Sequence, residues 1–245
     1  MSRLPSLDPA AWAPSTAVLL ESLRIPADRA SGRHGAWADS ALRRYIELAR
    51  PAMIFREVSA EDFRRIYEGD GRNETPAPLE KVFPRASRLA LFALTLGKDI
   101  SEEIGRLFKE EVEVEAVFLD AAASRAAEAA SEAGGQAWLE EIRNPGMESG
   151  RACVLGYSPG YCGWHLSGQK ILLDRVGAGR IGITLNDSFL MSPLKSISGV
   201  WIAGGAEIFL DEGTYPFCAG CAAPTCRERQ RRIREWMSSN KSETI

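Results

Sequence analysis

Apolar and polar positions alternate in blocks along this chain, and the blocks predict its elements. Residues 1–36 are broken by Pro5, Pro9, Pro14 and Pro26. Within them residues 15–23 predict a short helix with Ser15 at its N-cap, where a hydroxyl accepts from a free first-turn amide. Residues 36–49 predict a second helix with Leu42, Ile46 and Leu48 on its apolar side, and residues 60–67 a short third. Between 68 and 78, Gly, Asp, Asn and Pro concentrate, which predicts a loop. The stretch 85–97 holds a continuous apolar run closed by Gly97. Its second half predicts a buried strand, a pattern that a buried helix shares.

Further along, residues 101–109 predict a helix with Glu102 and Glu103 in its first turn, beside the positive end of the dipole. Residues 114–133 predict a long Ala-rich helix, stopped by Gly134-Gly135 and followed by a short helix over 136–143. The remaining expectations are a strand or loop at 151–157, a helix at 168–176, and strands at 181–185 and 196–203. The tail beyond Cys218 carries Arg227, Arg229, Arg231, Arg232 and Arg234, which suit a terminal helix. No internal repeat is present. The resulting division is an N-terminal helical arm or subdomain over 1–75. An α/β domain over 76–245 follows, with a C-terminal Cys cluster and basic helix.

Composition narrows the class. A chain of 245 residues makes one large domain or two small ones, and 45% hydrophobic residues suffice for a core. Thirty basic against 33 acidic residues give a net charge of −3, no field for unspecific nucleic-acid binding, and no nucleic-acid motif is found. No apolar run reaches the ~18–20 residues that span a bilayer. The first residues lack the apolar core of a signal peptide. A soluble cytoplasmic protein is expected.

The chemistry concentrates after Arg151. From there to Gly199 the chain packs Gly, Pro, aromatic, thiol and imidazole groups into a few turns, a composition that suits backbone held close to a ligand. The five cysteines, Cys153, Cys162, Cys218, Cys221 and Cys226, are odd in number, which argues against a disulfide framework. In Cys218-x2-Cys221-x4-Cys226 the two-residue gap lets two thiolates turn toward one ion. A third thiolate would supply most of a shell for zinc or a corner set for an iron–sulfur cluster. The fourth ligand would be Cys162, Cys153, His165 or an exogenous group. A reduced thiol cluster without metal fits the same spacing. Cys162-Gly-Trp-His165 places thiol and imidazole three residues apart, suited to metal ligation, to nucleophilic catalysis or to a structural histidine. Tyr157 and Tyr161 flank Pro159-Gly160 and suit contact with a flat or cationic ligand, as they suit a core. Glu128 stands four residues before Glu132, a pair that repels mildly on an exposed helix. A cationic ligand facing one of the two acids would explain the spacing, and so would two solvated acids.

At these residues the chain resembles the activation domain of cobalamin-dependent methionine synthase, and in particular stand-alone bacterial proteins that carry it. The segment Leu185-Asn-Asp-Ser188-Phe189-Leu-Met191-Ser-Pro193-Leu-Lys-Ser196-Ile-Ser198-Gly199 is similar to the family's Leu-Thr-Glu-Ser-Phe-Ala-Met-x-Pro followed by Ser-x-Ser-Gly. Gly156-Tyr157 with Cys162-x-x-His165 resembles its Gly-Tyr-Pro-x-Cys-x-x-His segment, and Ser124-Arg125-Ala-Ala-Glu128 its Asp-Arg-Leu-x-Glu helix. The likeness covers about residues 85–205. It implies an α/β (α+β) fold with a twisted antiparallel sheet and surrounding helices. It also implies binding of S-adenosylmethionine, whose methyl group rescues an oxidised cobalamin. Carried over, Glu128 faces the cationic or amino end of the ligand, Arg151 takes its carboxylate, and Tyr157 lies near the transfer site. Gly156, Tyr161 and Ser188 complete the expected binding set, and His165 joins Tyr157 as a candidate catalytic group. An Asp-x-His-x-x-Gly cobalamin-ligand motif is absent, since position 163 is Gly. Cobalamin is therefore expected on a partner corrinoid protein. The expected function is that of an accessory protein supporting reductive reactivation in a corrinoid methyltransferase system. The alternatives are a non-catalytic docking or chaperone module and a metal-binding interaction protein.

Overall fold

A computed structural model describes residues 7–29, 31–143 and 152–210, together with residues 231, 233 and 235. The chain begins with α1 (Thr16–Ser22) and α2 (Arg33–Leu48), then β1 (Ala52–Val58), α3 (Ala60–Glu68), α4 (Pro78–Val82) and β2 (Arg88–Thr95). There follow α5 (Lys98–Lys109), α6 (Glu113–Ile142), β3 (Ala152–Tyr157), α7 (Gly168–Val176), β4 (Thr184–Leu185), β5 (Met191–Ser192) and β6 (Ser196–Gly205). Four strands form one antiparallel sheet in the order β1-β2-β6-β3, and β4 and β5 form a separate hairpin. The α/β class with an antiparallel sheet and surrounding helices is the one expected.

The continuous apolar run of β2 has a plain cause: the strand is central and covered on both faces. Leu89, Leu91 and Ala93, with Val200 and Ile202 of β6, pack under α3, α4 and α7 against Phe63, Tyr67, Leu79, Trp164 and Leu172. On the other face Ala90, Phe92 and Leu94, with Trp201 and Ala203, meet Ala130, Trp138 and Leu139 of α6. The early part of α6 packs instead on α2 and α5 through Tyr45, Ile100, Leu107, Leu119 and Ala123. Local capping agrees with the sequence. Ser15 Oγ accepts from the Val18 amide at 3.3 Å and Ser59 Oγ from the Asp62 amide at 3.0 Å.

Three expectations are corrected. The Gly134-Gly135 pair does not end the long helix; α6 runs through it to Ile142. These glycines serve packing, because a Cβ on Gly134 would sit 2.8 Å from Trp201 Cη2 and from Met53 Cε and Sδ, and one on Gly135 3.2 Å from Trp201 Nε1. The strand expected over 181–185 shrinks to Thr184–Leu185, because Ile181 closes a 3-10 turn and Gly182 takes a left-handed φ of 78°. The arm over 1–75 is not purely helical, since β1 within it pairs with β2 from Ala52↔Thr95 to Val58↔Leu89. As an edge strand it is only half covered, so its sequence lacks the unbroken apolar run of β2.

Candidate functional site

The long helix carries a polar stripe. Asp120, Ser124 and Glu128 stand four residues apart and so share one face of α6. Lys195, on the turn before β6 and only 10% exposed, brings Nζ to 2.7 Å from Asp120 Oδ1 and donates to Ser124 Oγ at 2.9 Å. Ser124 in turn donates to the Asp120 carbonyl at 2.9 Å. One turn on, the Glu128 carboxylate accepts from Arg125 Nη1 at 2.5 Å with both side chains partly exposed. Arg125 Nε is buried and has no acceptor among the described residues. A carboxylate with an unused donor beside it suits a ligand that carries both a cationic centre and an acceptor group.

Strand β3 places the next candidates. Its register with β6 sets Gly156 opposite Trp201 and Tyr157 opposite Val200. Alternation then sends their side-chain positions to opposite faces. Gly156 lies on the α6 face, where a Cβ would stand 3.5 Å from Trp201 Cδ1. The Tyr157 ring joins Leu155 in the cluster under α7. The two strands come close here: a Cβ on Gly199 would stand 2.2 Å from Tyr157 O and 3.0 Å from Phe92. Only glycine fits that position.

After Tyr157 the chain turns tightly. Gly160 donates to Trp164 O at 2.7 Å, and Cys162 takes a left-handed φ of 53° between Gly160 and Gly163, themselves at positive φ. Trp164 anchors this loop in the core, edge-on to Phe63 at 5.6 Å and against Tyr67. Burial first, then the charges of Glu80 and Cys162, push the Tyr67 phenol well above its ordinary pKa. Tyr161 stays 57% exposed. His165 is fixed at its backbone by Asn73 Oδ1 at 2.9 Å, and its Nδ1 lies 2.8 Å from Ser167 Oγ. Ser167 donates to Asp70 Oδ1 at 2.9 Å. Hydrogen bonds from Arg72 and then Ser167 hold the exposed Asp70 carboxyl down at about 2.

Ser188 is exposed on a loop organised by Asn186, whose Oδ1 accepts the amides of Ser188 at 3.0 Å and Leu190 at 2.9 Å. The buried Gln169 ties this loop to the sheet. Its Nε2 donates to Phe189 O at 2.9 Å, while its Oε1 accepts from Ser198 Oγ at 3.1 Å. The Arg72 guanidinium stands 5.8 Å over the Phe189 ring.

Tyr157 and His165 therefore bracket one loop, with Cys162 and Tyr161 between them. Glu128 rises from the helix on the Gly156 side of the sheet. Arg151, Cys218, Cys221 and Cys226 lie outside the described residues. Among the described residues no group of three or more His, Cys, Asp or Glu side chains is placed to hold a metal ion, and neither Cys153 nor Cys162 is in a disulfide. Sequence reasoning missed Lys195, Gln169, Ser167 and Asp70. Each acts through a partner 29 to 97 residues away, a separation that leaves no local pattern. Arg125 was within reach, since it lies inside the Ser124-to-Glu128 motif.

A four-stranded antiparallel sheet with helices on both faces, and a polar stripe on its longest helix, defines the class of domain. Residues 80–210, more than half of the chain, match the family described as vitamin B12 dependent methionine synthase, activation domain, and the chain belongs to that family. Among solved structures it is similar to a crystal structure of the MetH reactivation domain bound to AdoHcy. The TM-score is 0.51 at 12% identity, covering 86% of this chain and 78% of that one. At that identity the likeness is one of fold. No curated protein matches the chain. Among the described residues no helix is long and apolar enough to cross a membrane.

Proposed function

We propose that this protein supports reductive reactivation of a cobalamin carried by a separate corrinoid protein, with S-adenosylmethionine as methyl donor. Membership of the activation-domain family is the observation that carries this reading, and the similar fold of a domain bound to AdoHcy supports it. The donor, when bound, supplies a sulfonium methyl for attack by reduced cobalt. The protein's own work is then positioning and exclusion of water. Glu128 faces the cationic end of the ligand, and the unused Arg125 Nε–H meets an acceptor on it. Arg151 takes the ligand carboxylate, and Tyr157 stands at the end of β3 beside the transfer site. Leu190 and Leu194, 50% and 62% exposed, sit on a segment anchored by Gln169 at one end and Lys195 at the other. That rigid apolar ledge is the docking surface for the partner. In this reading residues 1–75 pack as part of the body that presents the ledge, and the Cys218, Cys221 and Cys226 thiolates hold an electron-delivering centre.

A second reading has its own support. The Glu128 carboxylate is already paired with Arg125, which lowers its appetite for a cationic ligand and favours a docking module without catalysis. Calorimetry of the anaerobically purified protein with S-adenosylmethionine separates the two. The proposal expects micromolar binding that Glu128→Ala abolishes. Absence of binding, with partner association retained, selects the docking module. Metal and sulfide content of the same preparation tests the thiolate centre, and values near zero overturn that part.

A further inference from the structure

Among the described residues the hydrogen-bonded chain His165–Ser167–Asp70 ties His165 to two residues, Ser167 and Asp70, that neither the family likeness nor the proposed ligand site uses. It joins two separate pieces of the chain: the loop after α3, and the segment that runs from the end of the 158–165 turn to the residue before α7. Its polar side chains are sequestered to different degrees. Ser167 is buried at 8% exposure, His165 is half-buried, and Asp70 is open to solvent beside Arg72.

The chain has a direction set by hydrogen count. Ser167 has one hydroxyl proton and two acceptors within reach, Asp70 Oδ1 at 2.9 Å and His165 Nδ1 at 2.8 Å. A carboxylate is an acceptor only, and a charge-assisted bond is the stronger one. The proton therefore goes to Asp70. The Ser167 oxygen then faces Nδ1 with a lone pair, and at 2.8 Å that contact is attractive only if Nδ1 carries a hydrogen. One contact pulls the other way: the Ser167 amide is placed to donate to Nδ1 at 3.2 Å, a longer contact than the 2.8 Å one to Oγ. Which ring nitrogen holds the proton follows from the bond the other nitrogen makes.

We propose that Asp70 and Ser167 are positioning residues that hold His165 in its Nδ1–H tautomer, leaving Nε2 as a neutral acceptor for a protic N–H or O–H group brought to the 158–165 loop. Among the described residues His165 makes its hydrogen bonds through its backbone and Nδ1, which leaves the Nε2 lone pair available. A protic group bound there donates a hydrogen bond to Nε2, while Nδ1–H stays on Ser167 and the Ser167 hydroxyl stays on Asp70. The inference stands on this geometry and not on the identity of the methyl donor or partner.

The chain has two histidines, His34 and His165, so the test is simple to assign. Long-range proton–nitrogen correlation spectra of the full chain, labelled at histidine, are recorded about two units above the ordinary histidine pKa of ~6.5, with His34→Gln for assignment. The expected result is a pyrrole-type Nδ1 and a pyridine-type Nε2 at His165. Ser167→Ala and Asp70→Asn should each shift His165 toward the opposite tautomer while His34 stays put. In parallel, diethyl pyrocarbonate, an electrophile that an unprotonated ring nitrogen attacks, should modify His165 severalfold more slowly in both variants, with the His34 rate unchanged. A pyridine-type Nδ1 in the unmodified protein overturns the proposal, because the Ser167 amide would then decide the tautomer. Unaltered spectra and rates in the variants also overturn it. If Ser167→Ala does not fold, Asp70→Asn alone decides, since that carboxylate is on the surface.

Discussion

The Lys195 ammonium stands 2.7 Å from the Asp120 carboxylate, joining the turn before β6 to the first third of α6 across 75 residues of sequence. The two ends of this pair are not equally buried. Lys195 is 10% exposed and Asp120 39%, so removing one partner does not cost the same as removing the other. Asp120→Ala strands a nearly buried charge with only Ser124 to hold it and should cost about 2–3 kcal/mol, while Lys195→Met leaves a carboxylate that water can reach and should cost about 1 kcal/mol. Urea unfolding of the two variants checks the order. Equal losses would mean the pair is solvated at both ends.

The glycines of α6 give a test in which helix propensity and packing oppose each other. Gly134→Ala gains about 1 kcal/mol of propensity but drives a methyl to 2.8 Å from Trp201 Cη2. That ring is stacked on Phe92 with centroids 4.5 Å apart and planes 9° from parallel, so it has nowhere to retreat. Overpacking of this kind costs ~1–3 kcal/mol, and a net destabilisation of about 1–2 kcal/mol is expected. Gly105 of α5 meets nothing within 4 Å, so Gly105→Ala should stabilise by about 0.5–1 kcal/mol. Thermal melts of both variants read the contrast.

Gly199→Ala should be the most damaging single change near β3. Its Cβ would meet a backbone oxygen, Tyr157 O, at 2.2 Å, and a strand partner cannot turn aside as a side chain can. The expected outcome is fraying of β3 from Tyr157 backward, read as loss of amide-exchange protection at 154–157. Retained protection there would show that the strands can separate without cost.

Acid should weaken the fold through two carboxylates. Glu57 accepts from Trp138 Nε1 at 3.0 Å and is ion-paired with Arg88. Burial raises its pKa, yet the hydrogen bonds from Arg88 and Trp138 and the Arg88 charge outweigh that and hold it below the ordinary 4.5. Asp70, held by Arg72 and Ser167, is lowered from 3.8 to about 2. Both folded-state values lie below the unfolded ones. Their contribution is thus complete above the ordinary carboxylate range and is lost as pH falls through the folded values. Melting temperature should fall from about pH 4.5 downward, and Glu57→Gln and Asp70→Asn should each flatten that limb. An unchanged limb in both would assign acid sensitivity to other groups.

The docking ledge predicts a separation of stability from association. Leu194→Asp and Leu190→Asp replace exposed side chains, so melting should shift little, within about 0.5 kcal/mol. Binding to a corrinoid protein should weaken tenfold or more, measured by calorimetry or light scattering. Undiminished binding would place the partner elsewhere.

Much of this architecture follows from local pattern. The run from Leu89 to Leu94 reads as a buried strand because a central strand covered on both faces has no polar position to interrupt it. Ser15 and Ser59 start their helices through hydroxyls whose acceptor geometry is local. The motifs at 124–128, 156–165 and 185–199 indicated the family for the same reason, since each is a short segment with its own composition. Tertiary structure decided what depends on distant partners. Gly134-Gly135 reads as a helix stop until Trp201 is seen to need the space, and β1 reads as nothing in particular because half of an edge strand faces water. The opposite faces taken by Gly156 and Tyr157 follow from a register that β6 imposes. The Lys195–Asp120 pair and the His165–Ser167–Asp70 chain join residues that only folding brings within 3 Å. Local chemistry is written in neighbouring residues, whereas the charge balance and proton placement of the site depend on contacts that exist only once the sheet and its helices have closed together.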